Sequence, residues 1–232
     1  MRVAATITAI RQATPTVKTL SLAVGDATFA FLPGQWVDFY VNICGHERVA
    51  GYSITSSPLH PASFDLAVKR NGGNPVTRHI HESAKEGNEV EIEVGGSFVY
   101  RPAAARSLML IAGGIGINPI MSILSYIDQA EPEVAATLFY SVRTPSELLF
   151  GNELRQMAKR RENIRAYFTV TRPFGEPWPD RVGRIDASVL KHSELDLNAS
   201  YYLCGPPSMV KTLRTALINL GVDRARLHHE PW

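Results

Sequence analysis

The chain has 232 residues, enough for one large domain or two small ones, with 45% hydrophobic residues and a formal net charge of +2. So balanced a charge argues against a nucleic-acid-binding surface, which needs a basic excess, and no apolar run reaches the roughly 20 residues that cross a bilayer. The first residues alternate as a strand does and lack a signal-peptide core, so a cytoplasmic protein with no membrane partner is expected.

Segments 3–11, 17–24, 36–43, 64–70 and 90–94 show period-two alternation or β-branched enrichment and read as strands. Pro33-Gly34, Asn71-Gly72-Gly73 and Gly95-Gly96 punctuate them as turns. One helix is expected over 75–85, closed by Gly87. Many short strands with a single helix predict a small antiparallel β-barrel, assigned to 1–102. Beyond Pro102 the character changes. Strands at 107–112, 136–142, 164–171 and 200–204 alternate with helices at 120–128, 147–160, 188–192 and 209–220. That alternation predicts an α/β domain with a parallel sheet, assigned to 103–232.

Three segments carry chemistry. Ala112-Gly113-Gly114-Ile115-Gly116-Ile117-Asn118-Pro119 joins a buried strand to a helix. Glycines in such a turn let backbone N–H groups approach an anion at the positive helix end, and Pro119 suits a first helical turn. A tight strand–helix turn with no ligand has the same local wording. Tyr201 to Met209 is again a strand, a Gly/Pro turn and a helix start, built around Cys204-Gly205-Pro206-Pro207. Gly51-Tyr52-Ser53-Ile54-Thr55-Ser56-Ser57-Pro58 lies in the strand-rich half. The two cysteines, Cys44 and Cys204, fall in different predicted domains and make no framework for a disulfide or an iron–sulfur cluster. His79 and His81 are two apart on a predicted helix, and His228 and His229 are adjacent on a predicted strand. Neither pair shares a face, so no metal site is expected.

In this order, the three segments resemble the ferredoxin–NADP reductase superfamily. The wording is most similar to the oxidoreductase NAD-binding domain-containing proteins, through Pro33-Gly34-Gln35-Trp36-Val37-Asp38-Phe39, the run from Tyr52 to Pro58, and Ser146-Glu147-Leu148-Leu149-Phe150. The resemblance implies an N-terminal flavin-binding barrel and a C-terminal nicotinamide-binding α/β domain. It implies an NAD(P)H-dependent flavoprotein reductase that passes electrons through FAD to a separate acceptor, such as a small redox protein. A flavin-containing electron-transfer subunit of a larger complex, with little activity alone, is the alternative.

The resemblance also assigns residues. Tyr52 packs on the flavin ring and Ser53 lies near its reactive N5 edge, with Ile54 and Thr55 in the same run. The family's arginine two positions before the aromatic is Ala50 here. Arg48, on the same strand face as Tyr52 by period two, is the candidate substitute, and FMN stays open beside FAD. Gly73, Val76 and Thr77 form a candidate phosphate cradle at the helix start, one residue longer than the family's spacing. Gly113, Gly114 and Gly116 face the dinucleotide pyrophosphate, and Arg143 approaches ribose and diphosphate. Thr171-Arg172 falls where NADP-using members carry Ser-Arg for the 2′-phosphate. A plain loop arginine is the other reading, so NADH and NADPH both stay open as hydride donors. Cys204, followed by Gly205 and Pro206, sits beside nicotinamide C4 as a positioning group; inert packing is the alternative. Glu230 and Trp232 match the family's terminal Glu-x-aromatic, the Glu positioning nicotinamide and relaying protons and the Trp covering the flavin. A hydrophobic anchor would read the same way.

Overall fold

Alternation along the first strands becomes a barrel wall with one face inward. The structure is a computed structural model that describes residues 1–25, 29–60, 62–192 and 195–231. Two units divide the chain: Met1–Arg101 with Met121–Tyr126, and Pro102–Ile120 with Ile127–Trp232.

The first unit holds β1 (Val3–Thr14), β2 (Val17–Val24), β3 (Trp36–Ile43), β4 (His46–Ser53), β5 (Ser63–Lys69) and β6 (Glu89–Gly95). All pairs are antiparallel, in the order β4-β3-β6-β1-β2-β5. An antiparallel bridge between Ile54 and Leu66 joins the chain after β4 to β5, and Thr55 N donates to Asp65 O at 2.9 Å. The two end strands are thereby tied together, which closes the barrel. Leu20, Leu22, Val37, Phe39, Phe64, Leu66 and Ile92 fill it with Val76 and Ile80 of α1 (Pro75–Glu82). Each such buried side chain contributes about 1.5–3 kcal/mol. α1 stops three residues short of the expected end, because Ser83 leaves helical geometry at φ −128°. β4, the strand that carries Arg48 and Tyr52, adds to the five expected segments; its first half, His46 to Val49, is all exposed and shows no alternation.

The second unit runs β7 (Ser107–Gly113), α2 (Ile117–Ala130), β8 (Ala135–Val142), α3 (Gly151–Arg160), β9 (Ile164–Val170), β10 (Arg181–Val182), α4 (Ala187–His192), β11 (Ser200–Gly205), α5 (Pro207–Asn219) and β12 (Leu227–Pro231). Its sheet is parallel, ordered β10-β9-β8-β7-β11-β12. β7 and β11 are buried at every position after the first, as strands covered on both faces must be. The chain builds outward from β7 to β9, then crosses back to lay β11 on the other side of β7. Such a reversal leaves a crevice at the strand C-termini, where ligands of open α/β sheets bind.

One expected helix is divided. Instead of a continuous 147–160, a short 3₁₀ turn covers Pro145–Glu147 and α3 begins only at Gly151. Phe150 takes φ +58°, and the Leu148 side chain lies where a Cβ at position 151 would stand, 2.5 Å from its Cδ2. The chain therefore reverses there rather than continuing helical. Among the described residues no helix is long and apolar enough to cross a membrane.

Candidate functional site

The flavin residues cluster in the first unit around the end of β4 and the start of α1. Tyr52 pairs in register with Val37, and its ring meets Phe39 edge-on, with centroids 6.0 Å apart at 80°. Its hydroxyl lies 2.9 Å from Thr77 Oγ1. Burial pushes the Tyr52 pKa up to about 12, against a smaller opposing effect of the Thr77 hydrogen bond. The phenol is therefore a neutral hydroxyl that can donate at physiological pH. Ser53 and Thr55 are buried, and Ile54 is fully buried with its N–H donating to Gln35 O at 3.0 Å. Two hydroxyls at a helix N-terminus beside an aromatic ring fit the phosphate side of a flavin nucleotide.

The expected backbone cradle at this helix is differently built. Asn74 is the N-cap, and its Oδ1 accepts from Val76 N at 2.9 Å and Thr77 N at 3.2 Å. Arg78 N donates to Asn74 O, and Pro75 has no N–H to offer. The first-turn donors are thus committed within the chain. Val76 points into the barrel core, Gly73 is exposed two residues upstream of the helix, and Thr77 contributes through its side chain. The Asn-Pro pair ahead of an apolar run is an N-cap signal that could have announced this from sequence. Arg48 is exposed on β4. It lies four positions before Tyr52, about 13 Å of rise along the strand and on the same face by period two.

The nicotinamide residues converge at the C-terminal edge of the parallel sheet. Gly113 ends β7 and Gly205 ends β11, side by side at the switch point. A Cβ on Gly205, whose φ is +155°, would lie 3.0 Å from Gly113 N, and one on Gly116 would lie 2.4 Å from Cys204 O. A Cβ on Gly113 would meet the Met209 thioether at 2.7 Å. These glycines let the two turns pack backbone to backbone, so Gly113 and Gly116 serve the chain's own close approach. Gly114 differs: φ is +55° and nothing lies within 4 Å of a Cβ there. Of the three glycines expected to face a pyrophosphate, it alone leaves open space beside its backbone. Met209 was not singled out from sequence, because only the fold brings α5 over Gly113.

Cys204 is fully buried, in register with Ala112 on one side and Glu230 on the other. Neighbours in register across a parallel sheet share a face, so the structure brings Cys204 and the half-buried Glu230 together. Pro206 is exposed and caps α5. Arg172 N donates to Arg143 O at 2.8 Å, and Thr171 N donates to Val142 O at 3.0 Å. Two exposed arginines are therefore joined through their backbones just beyond β8 and β9. Arg143 Nε is 3.9 Å from Glu147 Oε1, which offsets its charge only in part because the arginine side chain is 64% exposed. A guanidinium suits phosphate oxygens by bidentate pairing. Trp232 lies outside the described residues.

The profile of the oxidoreductase FAD-binding domain family matches residues 4–100, and that of the oxidoreductase NAD-binding domain family matches residues 110–215. Oxidoreductase NAD-binding domain-containing protein 1 of Pongo abelii is 34% identical over 239 residues, 94% of this chain and 76% of that protein. The glycine betaine monooxygenase reductase subunit of Pseudomonas aeruginosa is 30% identical over 205 residues, 87% of this chain but 56% of that protein. Among solved structures, the flavohem-like FAD/NAD binding domain of nitric oxide dioxygenase from Vibrio cholerae superposes with a TM-score of 0.88 at 23% identity, covering 99% of this chain and 98% of that one. That likeness shows the fold.

Proposed function

The chain belongs to the family of the oxidoreductase NAD-binding domain-containing proteins, and on that footing we propose that it takes a hydride from NADH or NADPH onto FAD and hands the electrons to a separate acceptor protein. It is an NAD(P)H-dependent flavoprotein reductase by its paired domains. A bound flavin supplies a ring that accepts a hydride and releases electrons singly or in pairs.

The chain's own residues bind and orient. In this reading 1–102 holds the flavin and 103–232 the nicotinamide nucleotide. The Tyr52 ring packs on the flavin, its hydroxyl and that of Thr77 face a flavin phosphate oxygen, and Ser53 serves the ring's polar edge. Gly114 admits the dinucleotide pyrophosphate, Arg143 approaches its ribose and diphosphate, and Arg172 holds the 2′-phosphate when NADPH is the donor. Cys204 and Glu230 orient the nicotinamide, the carboxyl also being placed to exchange a proton. The reading places the protein in the cytoplasm.

The observation that carries the proposal is the open backbone at Gly114 between two turns otherwise closed on each other at the switch point. Anaerobic titration of the flavin-loaded protein with NADH and NADPH tests it. Bleaching of the flavin band, reversed by a one-electron acceptor protein, is expected. Protein that takes up neither FAD nor FMN, or a flavin that neither nucleotide bleaches, refutes it. Similarity to a monooxygenase reductase subunit favours a second reading, in which the acceptor is a dedicated partner and turnover is low without it.

A further inference from the structure

We infer that Arg155 is a positioning residue for the nucleotide: it clamps the loop after β9 and so holds Arg172 beside Arg143. The inference rests on the reading that these two arginines hold the nucleotide's phosphates.

Arg155 stands on α3, whose Leu154 and Met157 are buried. Its Nη2 donates to Asp180 Oδ2 at 2.5 Å. Its guanidinium carbon is 4.3 Å from the ring centre of Phe168 and 5.8 Å from that of Trp178. One planar cation thus engages β9 through Phe168 and the returning limb of the loop through Trp178 and Asp180. Trp178 Nε1 in turn donates to Arg181 O at 2.9 Å, fixing that limb just before β10.

The loop needs such a clamp. It leaves β9 at Thr171, held by the Arg172–Arg143 backbone bond, and rejoins the sheet where Arg181 and Val182 pair with Thr169 and Val170. Thr169 Oγ1 secures the exit by donating to Gly183 O at 2.6 Å. Between those ends it turns through Phe174 at φ +48° and Gly175 at φ +82°, a left-handed pair that a bulky aromatic adopts only under constraint. An ion pair of this exposure contributes little as such. A guanidinium that stacks on a ring and donates to a carboxylate at once fixes geometry. Lysine has neither the plane nor the fork.

The test measures KM and kcat of the flavin-loaded protein for NADH, NADPH and reduced nicotinamide mononucleotide, which lacks the adenosine phosphate. Arg155→Ala, Arg155→Lys and Asp180→Asn are each made alone and in an Arg172→Ala background. The expected result is a KM for NADPH raised about three- to tenfold and for NADH raised less, with kcat, flavin content and the mononucleotide KM unchanged. In the Arg172→Ala background the further rise should vanish, because both changes remove one interaction. Arg155→Lys and Asp180→Asn carry the test if Arg155→Ala does not fold. Wild-type dinucleotide KM values in these variants, an equal rise for the mononucleotide, or effects that add to that of Arg172→Ala each overturn the inference. If Arg172→Ala and Arg143→Ala both leave the dinucleotide KM unchanged, the phosphate reading itself falls, and the inference with it.

Discussion

Gly116→Ala isolates the close approach of the two nucleotide turns. Gly116 has φ −62° and ψ −3°, so an alanine meets no backbone strain there. The new methyl is opposed only by what it would touch: Cys204 O at 2.4 Å, Cys204 C at 2.5 Å and Gly205 N at 2.6 Å, all backbone. Ordinary van der Waals contact begins near 3.4 Å, so one turn has to retreat by about 1 Å. Overpacking of this kind costs about 1–3 kcal/mol. At about 4 °C per kcal/mol, between the values for smaller and larger domains, the midpoint of the second unit should fall by roughly 4–12 °C. The same retreat moves Cys204 and Gly205. Misplacement of about 1 Å near reacting atoms costs up to about a hundredfold in rate, so flavin reduction by NADH should slow by up to that factor. Thermal unfolding followed by second-unit tryptophan emission reads the first effect, and anaerobic rapid mixing the second. Gly114→Ala is the control. It carries a left-handed penalty of about 1–2 kcal/mol but no clash, and it should weaken nucleotide binding without slowing reduction at saturation. A Gly116→Ala protein with the wild-type midpoint and reduction rate would refute the close approach.

Tyr52→Phe and Thr77→Val should each weaken flavin retention by about 0.5–1.5 kcal/mol, the net worth of a hydrogen bond, read as the flavin Kd by ultrafiltration; unchanged retention removes the hydroxyl pair from the phosphate site. Arg172→Ala should weaken NADPH by about 1.5–3 kcal/mol, tenfold or more, and NADH less; equal losses remove Arg172 from the 2′-phosphate role. Cys204→Ala should slow single-turnover flavin reduction with flavin content unchanged, and a wild-type rate would return Cys204 to packing. His81 is buried, its Nε2 2.9 Å from Val68 O, and burial, reinforced by Arg70 and Lys18, lowers its pKa below the usual 6.5. A lowered folded pKa means stability present above about pH 6.5 and lost as pH falls toward the folded value. Urea unfolding of the first unit should therefore weaken from about pH 7.5 to about 5.5, and His81→Gln should flatten that slope. His228, also lowered by burial, adds a slope of the same sign to the second unit, so the two transitions have to be followed separately.

Local pattern carried a good part of this molecule. Period two in Val17 to Val24 and Trp36 to Ile43 marked barrel strands that begin and end at the expected residues. Continuous apolar runs before Gly113 and Cys204 marked strands buried on both faces. The order of the Tyr52, Gly113 and Cys204 segments pointed to paired flavin and nicotinamide domains, and both family profiles match. These features are written in short stretches because they depend on side-chain alternation and turn chemistry within a few residues. Other features depend on register and crossover, which bring together residues far apart in the chain. Tyr52 meets Thr77 because α1 packs into the barrel beside β4, and the Arg172 backbone bonds that of Arg143 because β8 and β9 run parallel in register. Phe150 breaks an otherwise plausible helix once Leu148 lies against Gly151. Which of the three turn glycines stays open was decided at the switch point, where β11 lies beside β7: Cys204 and Met209 fill the space over Gly116 and Gly113 and leave Gly114 bare.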